Sequence, residues 1–187
     1  MDKVEKVFQR LKTEGKIQIA NEVVLGKVAN FKACGWLHKR KIKYNERMNE
    51  LSEEDIEFCL LHEEGHFKNP VKIRDWTYLV ILILSLLPLK YLPNSTSLGF
   101  LFGFIYLFIL HVWVVEIYQK YEYFSDEYAC SNLSNPLERI SALERIPKNR
   151  SNKWVEYFLI TIGAGYMHPS IEERKSRIKE IFSKETN

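Results

Sequence analysis

Two histidines four residues apart, with a glutamate directly after the first, occur in the segment HEEGH at 62–66. This is the H-E-x-x-H pattern, in which both imidazoles lie on one face of a helix and can bind the same metal ion. Glu63 lies at the edge of that face. Zinc lowers the pKa of a bound water to about 7, so a neighbouring carboxylate can remove its proton at neutral pH. The motif predicts a zinc site with ligands His62 and His66 and with Glu63 as the general base.

A helix is predicted around this motif. Ser52, with Asp55 three residues later, fits a capping box, and mostly apolar residues follow. Pro70 cannot continue a helix, so we expect the helix to cover about 53–68. Gly65 is expected to allow another helix to approach closely beneath the metal. The alternative interpretation is a helix with two surface histidines and no bound metal.

Two apolar segments follow the motif. Residues 76–89 and 98–115 carry no formal charge. A bilayer core requires about 20 apolar residues, and tryptophan and tyrosine near the segment ends are typical of membrane interfaces. The pattern predicts a transmembrane helical hairpin at about 76–115. Basic residues flank its outer ends, so both termini and the active site are predicted to be cytoplasmic. The alternative is an apolar hairpin buried inside a soluble oligomer.

The predicted hairpin returns later carboxylates to the motif. A catalytic zinc site keeps three protein ligands and one open position, so one more ligand is required. A helix that continues from the second apolar segment through Ala129 carries Glu122 and Asp126 four residues apart, on one face. Either carboxylate could be the third ligand.

The order of these features resembles a known family. The HEEGH segment, the hairpin and the segment EYFSD at 122–126 are similar to the membrane zinc metalloproteases of the HtpX and CAAX prenyl endopeptidase group. The second motif of that family is Glu-x-x-x-Asp. The resemblance implies that Glu122 is the third zinc ligand. It also implies that Asp126 orients His62 or His66 by accepting a hydrogen bond.

The C-terminal segment MHPSIEER adds a third similarity, to the family's His-Pro-x-x-x-x-Arg segment. The resemblance implies that His168 and Arg174 border the active site. His168 would stabilise the oxyanion, a role in which a single donor contributes about 10²–10³ in rate. The alternative for His168 is a residue at a helix N-terminus with no catalytic part. Arg174 could equally form an ion pair with Glu122, Asp126 or Glu173.

Length and composition fit a single domain over residues 1–187. The net charge of +3, with acids and bases mixed, gives no indication of a nucleic-acid partner. Three widely separated cysteines, Cys34, Cys59 and Cys130, do not form a disulfide framework or a Cys-x-x-Cys site, and Cys59 is expected in the core. The first ten residues lack the apolar segment of a cleavable signal peptide.

The remaining pattern predicts a mainly α fold of α+β type with a small β-hairpin. Helices are expected at 2–13, 137–145 and 170–184, a buried or membrane-surface helix at 154–166, and short strands at 31–36 and 41–44; residues 17–29 could be helix or strand. The resemblance implies a gluzincin-like zinc metallopeptidase core with the transmembrane hairpin inserted before the Glu122 helix. Relatives in that group commonly carry further spans before the motif, so this chain resembles a reduced catalytic core.

The sequence therefore predicts a membrane-anchored zinc metalloendopeptidase with one Zn²⁺ per chain, a protein or peptide substrate, and membrane lipid as a further partner. The strand at 41–44 is expected to pair with an extended substrate. The alternative is a catalytically silent membrane adaptor or metal-binding protein on the same fold. The presence of Glu63 favours the enzyme, because a metal store needs only the ligands.

Overall fold

The computed structural model describes residues 1–35, 39–69, 96–146 and 169–184. In chain order the elements are α1 (Lys3–Thr13), β1 (Glu22–Leu25), β2 (Phe31–Cys34), β3 (Lys41–Tyr44), a 3-10 helix (Glu46–Glu50), α2 (Glu53–Lys68), α3 (Thr96–Ser131), α4 (Pro136–Arg139), α5 (Ala142–Arg145) and α6 (Ile171–Lys184). The helix predicted at 2–13 and the strands predicted near 31 and 41 are present. The undecided region 17–29 contains β1.

Helix α1 is amphipathic and packs on the central helix α2. Asp2 caps it, since the Asp2 side chain accepts a hydrogen bond from the backbone N–H of Glu5. Its apolar residues recur at helical spacing and are buried: Val4, Val7, Phe8 and Leu11. They join one core cluster with apolar side chains of α2, including Ile56 and Leu60.

Among the residues that the structure describes, the sheet has three strands in the order β1-β3-β2. β3 is the central strand, parallel to β1 and antiparallel to β2. Both hydrogen-bonding edges of β3 are therefore occupied, so the prediction that 41–44 pairs with a substrate is wrong. The edges of the sheet belong to β1 and β2.

Helix α2 carries the HEEGH segment and begins as predicted. Ser52 is its N-cap, and its hydroxyl accepts a hydrogen bond 3.1 Å long from the backbone N–H of Asp55. The helix is mostly buried on all sides rather than amphipathic, because α1, the sheet, α3 and α5 pack around it. A helix in this central position can place functional side chains on several faces at once.

Helices α2 and α3 pack closely at Gly65. A Cβ atom added to Gly65 would lie 2.8 Å from Ser125 Cα, closer than real Cβ atoms approach backbone. The expected role of Gly65 in close helix packing is confirmed. This contact brings Glu122 and Asp126 of α3 next to the histidines of α2.

The transmembrane prediction is corrected. Across the described residues, no helix combines the length and the apolar character needed to cross a membrane. Residues 98–115 lie in α3, a 36-residue helix that continues, as expected, into the segment with Glu122 and Asp126. The predicted fold class with an inserted transmembrane hairpin at 76–115 is therefore wrong, and so is the predicted two-span membrane location with cytoplasmic termini. The described fold is α+β with a mixed three-stranded sheet.

Several predictions concern residues outside the described ranges. These are the first apolar segment at 76–92, the basic linker at 147–153, the apolar segment at 154–166, and His168. The helix predicted at 137–145 is two short helices, α4 and α5, and the last helix begins at Ile171.

Candidate metal centre

Two imidazoles from α2 and one carboxylate from α3 meet at the helix contact. His62, His66 and Glu122 each offer one ligand atom, and these atoms all lie within 4.8 Å of one another. The Nε2 atom of His62 lies 3.5 Å from one Glu122 oxygen, and that of His66 lies 3.6 Å from the other. Ligand atoms about 2.0–2.2 Å from a tetrahedral metal lie about 3.3–3.6 Å apart. The His-His-Glu group could therefore hold a metal ion.

The orientation of His62 is fixed by Asp126. His62 Nδ1 lies 2.9 Å from Asp126 Oδ1, and Asp126 is completely buried. An ionised carboxylate only accepts hydrogen bonds, so Nδ1 of His62 carries a hydrogen and donates the hydrogen bond to Asp126. Nε2 is the atom that faces Glu122. This is the arrangement by which an outer carboxylate orients a metal-binding histidine.

The orientation of His66 is fixed by Ser125, which the sequence analysis did not single out. His66 Nδ1 lies 2.9 Å from Ser125 Oγ, and that hydroxyl donates its hydrogen to the Tyr121 carbonyl at 3.1 Å. The only hydrogen of the hydroxyl is used in that bond, so Ser125 Oγ accepts a hydrogen bond from the Nδ1–H group of His66. Tyr121 also stacks on the His66 ring and donates to its backbone carbonyl at 2.6 Å. The available signal was helical spacing, since Ser125 lies three residues after Glu122.

Arg174 compensates the negative charge around the site. Its Nε and NH2 groups donate to the two Asp126 oxygens at 2.6 and 2.5 Å, and NH2 lies 3.8 Å from Glu122. Of the ion pairs considered for Arg174, the short one is with Asp126. Arg174 belongs to α6, so this pair fixes the C-terminal helix against α3.

The charges in this cluster shift several pKa values. Burial lowers the pKa of His62, but hydrogen bonds to Asp126 and Glu122 raise it more, to about 10. Burial raises the pKa of Asp126, but Arg174 and His62 lower it below its usual range. A metal ion must therefore displace a proton from His62, so its binding releases a proton and weakens as the pH falls.

Glu63 lies beside the imidazoles and contacts β2, the edge strand of the sheet as far as the structure describes it. Its Oε2 atom accepts a hydrogen bond 2.5 Å long from the backbone N–H of Ala33 in β2. Together with His62 it lines a pocket on that side of α2. The carboxylate predicted to be the base is thus held between the metal-binding group and an edge strand.

Glu64 has a different environment, although it is the next residue in the motif. It is completely buried and accepts hydrogen bonds from three consecutive backbone N–H groups, of Gln18, Ile19 and Ala20, at 2.7–2.9 Å. It therefore ties the segment before β1 to α2, on the far side from the metal-binding group.

The described structure brings together His62, His66, Glu122, Asp126 and Arg174, whereas His168 lies outside the described residues. No protein-family model matches the chain, and no significant similarity is found to a curated protein or a solved structure.

Proposed function

We propose that this protein is a zinc metalloendopeptidase in which His62, His66 and Glu122 bind zinc and Glu63 is the general base. The observation that carries the proposal is the convergence of both imidazole Nε2 atoms and the Glu122 carboxylate, with Glu63 adjacent. Two histidines and one glutamate, with a fourth position open, is a donor set of catalytic zinc in peptidases.

The residues of the chain have distinct parts in the proposed reaction. Zinc in such a site lowers the pKa of a coordinated water and polarises a carbonyl group. Glu63 accepts the proton of the attacking water and delivers it to the leaving amine, which is general acid–base catalysis by one carboxylate. Asp126 and Ser125 hold the two imidazoles with Nε2 inward. Arg174 keeps Asp126 ionised, so that Asp126 remains an acceptor.

The edge of the sheet beside Glu63 supports an extended polypeptide as the proposed substrate. β2 is an edge strand, and its Ala33 N–H contacts Glu63. An extended peptide added at this edge would place its backbone next to the base, and strand addition recognises main chain rather than sequence. Proteins or peptides in extended conformation are therefore the proposed substrates, with β2 replacing the strand at 41–44.

The resemblance to the HtpX and CAAX prenyl endopeptidase group supports this proposal through two residues. The group's Glu-x-x-x-Asp motif assigns a ligand and a histidine-orienting carboxylate, and Glu122 and Asp126 have positions that suit those parts. Assignment of the chain to that group remains a proposal. The part of His168 in oxyanion stabilisation remains a prediction.

One observation favours a second candidate, a metal-binding protein without catalysis. The hydrogen bond between Ala33 and Glu63 gives Glu63 a structural use, since it links β2 to α2. In that case Glu63 would be kept for the fold and not for proton transfer.

The variant Glu63→Gln separates the two candidates. Glutamine keeps an oxygen that accepts the Ala33 N–H but cannot act as a base. We expect zinc content to stay at one ion per chain while hydrolysis of an unfolded casein-type substrate falls by about 10²–10⁴-fold. The measurements are elemental analysis and a fluorescent cleavage assay.

Glu127→Gln is the matched control, because Glu127 is exposed on α3 and the chemical change is the same. It should cleave like the wild type. Zinc binding with no cleavage by the wild type would favour the silent metal-binding protein. Equal cleavage by the wild type and Glu63→Gln would contradict the proposed part of Glu63.

A further inference from the structure

A pocket of about 220 Å³ adjoins the candidate metal centre. Its walls come from β2, α2, the end of α5 and α6, and His62 and Glu63 form one side of it. A group bound in this pocket would thus lie next to the proposed zinc ligand and the proposed base. The side chains from the end of α5 and from the start of α6, Ile146 and Ile171, have no part so far in the proposed reaction.

The rest of the wall is mainly apolar. Its apolar side chains are Phe31, Phe58, Cys59, Ile146 and Ile171. Burial raises the pKa of the Cys59 thiol, so this side chain is neutral near pH 7. A wall of this kind favours an apolar occupant, because each Å² of apolar surface removed from water contributes about 25 cal/mol.

The two charged side chains considered in the wall, Arg174 and Glu63, already have partners within the protein. The Arg174 guanidinium is already bonded through two nitrogens to Asp126 and is largely buried. A substrate carboxylate would have to compete with Asp126 for Arg174. A substrate cation would be repelled by Arg174 and would have to compete for Glu63 with the Ala33 N–H. Charged side chains are therefore disfavoured here.

The volume fits one large side chain. A dry apolar cavity of about 150 Å³ holds a benzene ring, whereas pockets for drug-sized ligands begin at about 300 Å³. A pocket of 220 Å³ lies between these sizes. It suits the side chain of leucine, methionine or phenylalanine.

We propose that this pocket binds one large apolar side chain of the substrate, at a residue flanking the scissile bond, and sets the cleavage preference of the enzyme. The proposal rests on the peptidase function, since it places the pocket beside the reacting peptide bond. The substrate class becomes extended polypeptide with leucine, methionine or phenylalanine at one position next to the cleaved bond.

The test uses a set of peptides that differ at one residue next to the cleaved bond: Leu, Phe, Ala, Asp or Lys. We expect kcat/KM to be about 10- to 200-fold higher for Leu or Phe than for Ala, as hydrophobic pockets usually discriminate, and lower again for Asp and Lys. Mass spectrometry of the products locates the cleaved bond. Equal kcat/KM across the set would overturn the proposal and leave the peptidase function intact.

Two variants of Ile171 assign the preference to this pocket. Ile171→Trp fills the pocket and should bring the Phe-to-Ala ratio of kcat/KM to about 1, while Ile171→Ala enlarges it and should extend the preference to tryptophan. Ile181→Trp is the matched control, on the same helix but away from the pocket. An unchanged ratio in a folded Ile171 variant, checked by circular dichroism, would overturn the proposal.

Absence of any cleavage would contradict the proposed peptidase function. In that case, measurements of peptide binding test whether the pocket prefers a large apolar side chain. Fluorescence anisotropy of the same labelled peptides should show at least about tenfold tighter binding of Leu or Phe than of Ala. This difference should disappear in Ile171→Trp. Equal affinities in the wild type would overturn the pocket assignment.

Discussion

At the scale of single residues, the chemistry of the candidate centre depends on which nitrogen of each imidazole carries the hydrogen. In both histidines Nδ1 donates outward, to Asp126 from His62 and to Ser125 from His66, and Nε2 faces Glu122. The two outer acceptors differ, one a carboxylate and one a hydroxyl. His62 is thus held by a charged hydrogen bond and His66 by a neutral one, which is the weaker kind.

Ser125→Ala should weaken zinc binding without unfolding the protein. The change removes only the hydroxyl that orients His66, and loss of an outer hydrogen-bond partner typically reduces metal affinity by about 10–100-fold. Competition with a chromogenic chelator measures the affinity.

Ser131→Ala is the control for that change, because Ser131 is exposed at the end of the same helix. Its zinc affinity should match the wild type. An unaltered affinity in Ser125→Ala would show that His66 does not need this partner.

The contact between α2 and α3 is the feature at element scale that assembles the site. α2 supplies two histidines and α3 supplies the carboxylate, so the distance between the helices sets the size of the metal site. Gly65 permits the short distance, because Ser125 backbone occupies the place of a side chain.

Gly65→Ala should destabilise the protein and weaken zinc binding together. Alanine is favoured over glycine by about 1 kcal/mol within a helix, so the same substitution at a helix position without close contacts would stabilise the protein. Here the added methyl group forces α2 and α3 apart, and overpacking of this kind costs about 1–3 kcal/mol. Urea denaturation gives the change in the free energy of unfolding.

Gly26→Ala provides the comparison, since the nearest atoms to its added Cβ belong to the flexible Lys43 side chain, at 3.3 Å or more. It should change stability less than Gly65→Ala does. A Gly65→Ala protein that is more stable than the wild type would refute the close-packing explanation.

Local signals at this scale were readable from the sequence. The Ser52 cap and the apolar spacing of α1 depend on residues three or four apart, and both match the structure. The order of the strands was not readable, because pairing of β1 with β3 joins residues 19 positions apart, as in Glu22 with Lys41, through no local pattern.

The membrane prediction failed at the scale of the whole molecule. The sequence analysis counted uncharged residues, whereas a membrane span requires a helix that is both long enough and apolar enough, and none of the described helices meets both conditions. The predicted continuation of the second apolar segment through Ala129 is confirmed, since α3 is one continuous helix that ends in the site. The motif HEEGH indicated the two histidines from local spacing, whereas spacing left Glu122 and Asp126 as alternatives and the family resemblance selected Glu122, the carboxylate that lies with the histidines.

Glu64 connects α2 to the segment before β1, and sequence reasoning missed it. Its three N–H donors lie 44–46 residues earlier, so no spacing rule links them. In the H-E-x-x-H pattern, Glu64 occupies a variable position between the predicted base Glu63 and Gly65, so the pattern assigned it no role. The structure makes it the anchor of the segment that precedes β1.

Glu64→Gln should reduce the free energy of unfolding by about 2–3 kcal/mol. A glutamine amide replaces one of the two acceptor oxygens of Glu64 with an NH2 group. That NH2 group would face a backbone N–H of residues 18–20, so buried hydrogen-bond donors would be left unpaired. Hydrogen exchange at Ile19 and Ala20 should accelerate in parallel with the loss of stability.

Glu53→Gln, at an exposed position in the first turn of α2, should change stability by less than about 1 kcal/mol. Glu64→Gln with wild-type stability and unchanged amide exchange would refute the anchoring role of Glu64.

The most direct test of the whole account is the number of zinc ions that the chain binds at equilibrium. Elemental analysis after dialysis against buffered zinc should give one zinc per wild-type chain and none for the double variant His62→Ala/His66→Ala. Glu122→Ala should bind with affinity reduced by at least about tenfold, while Glu116→Ala, on the same helix, should bind normally. A wild-type protein without zinc, or a double variant that still binds one ion, would contradict the metal centre on which the proposed function depends.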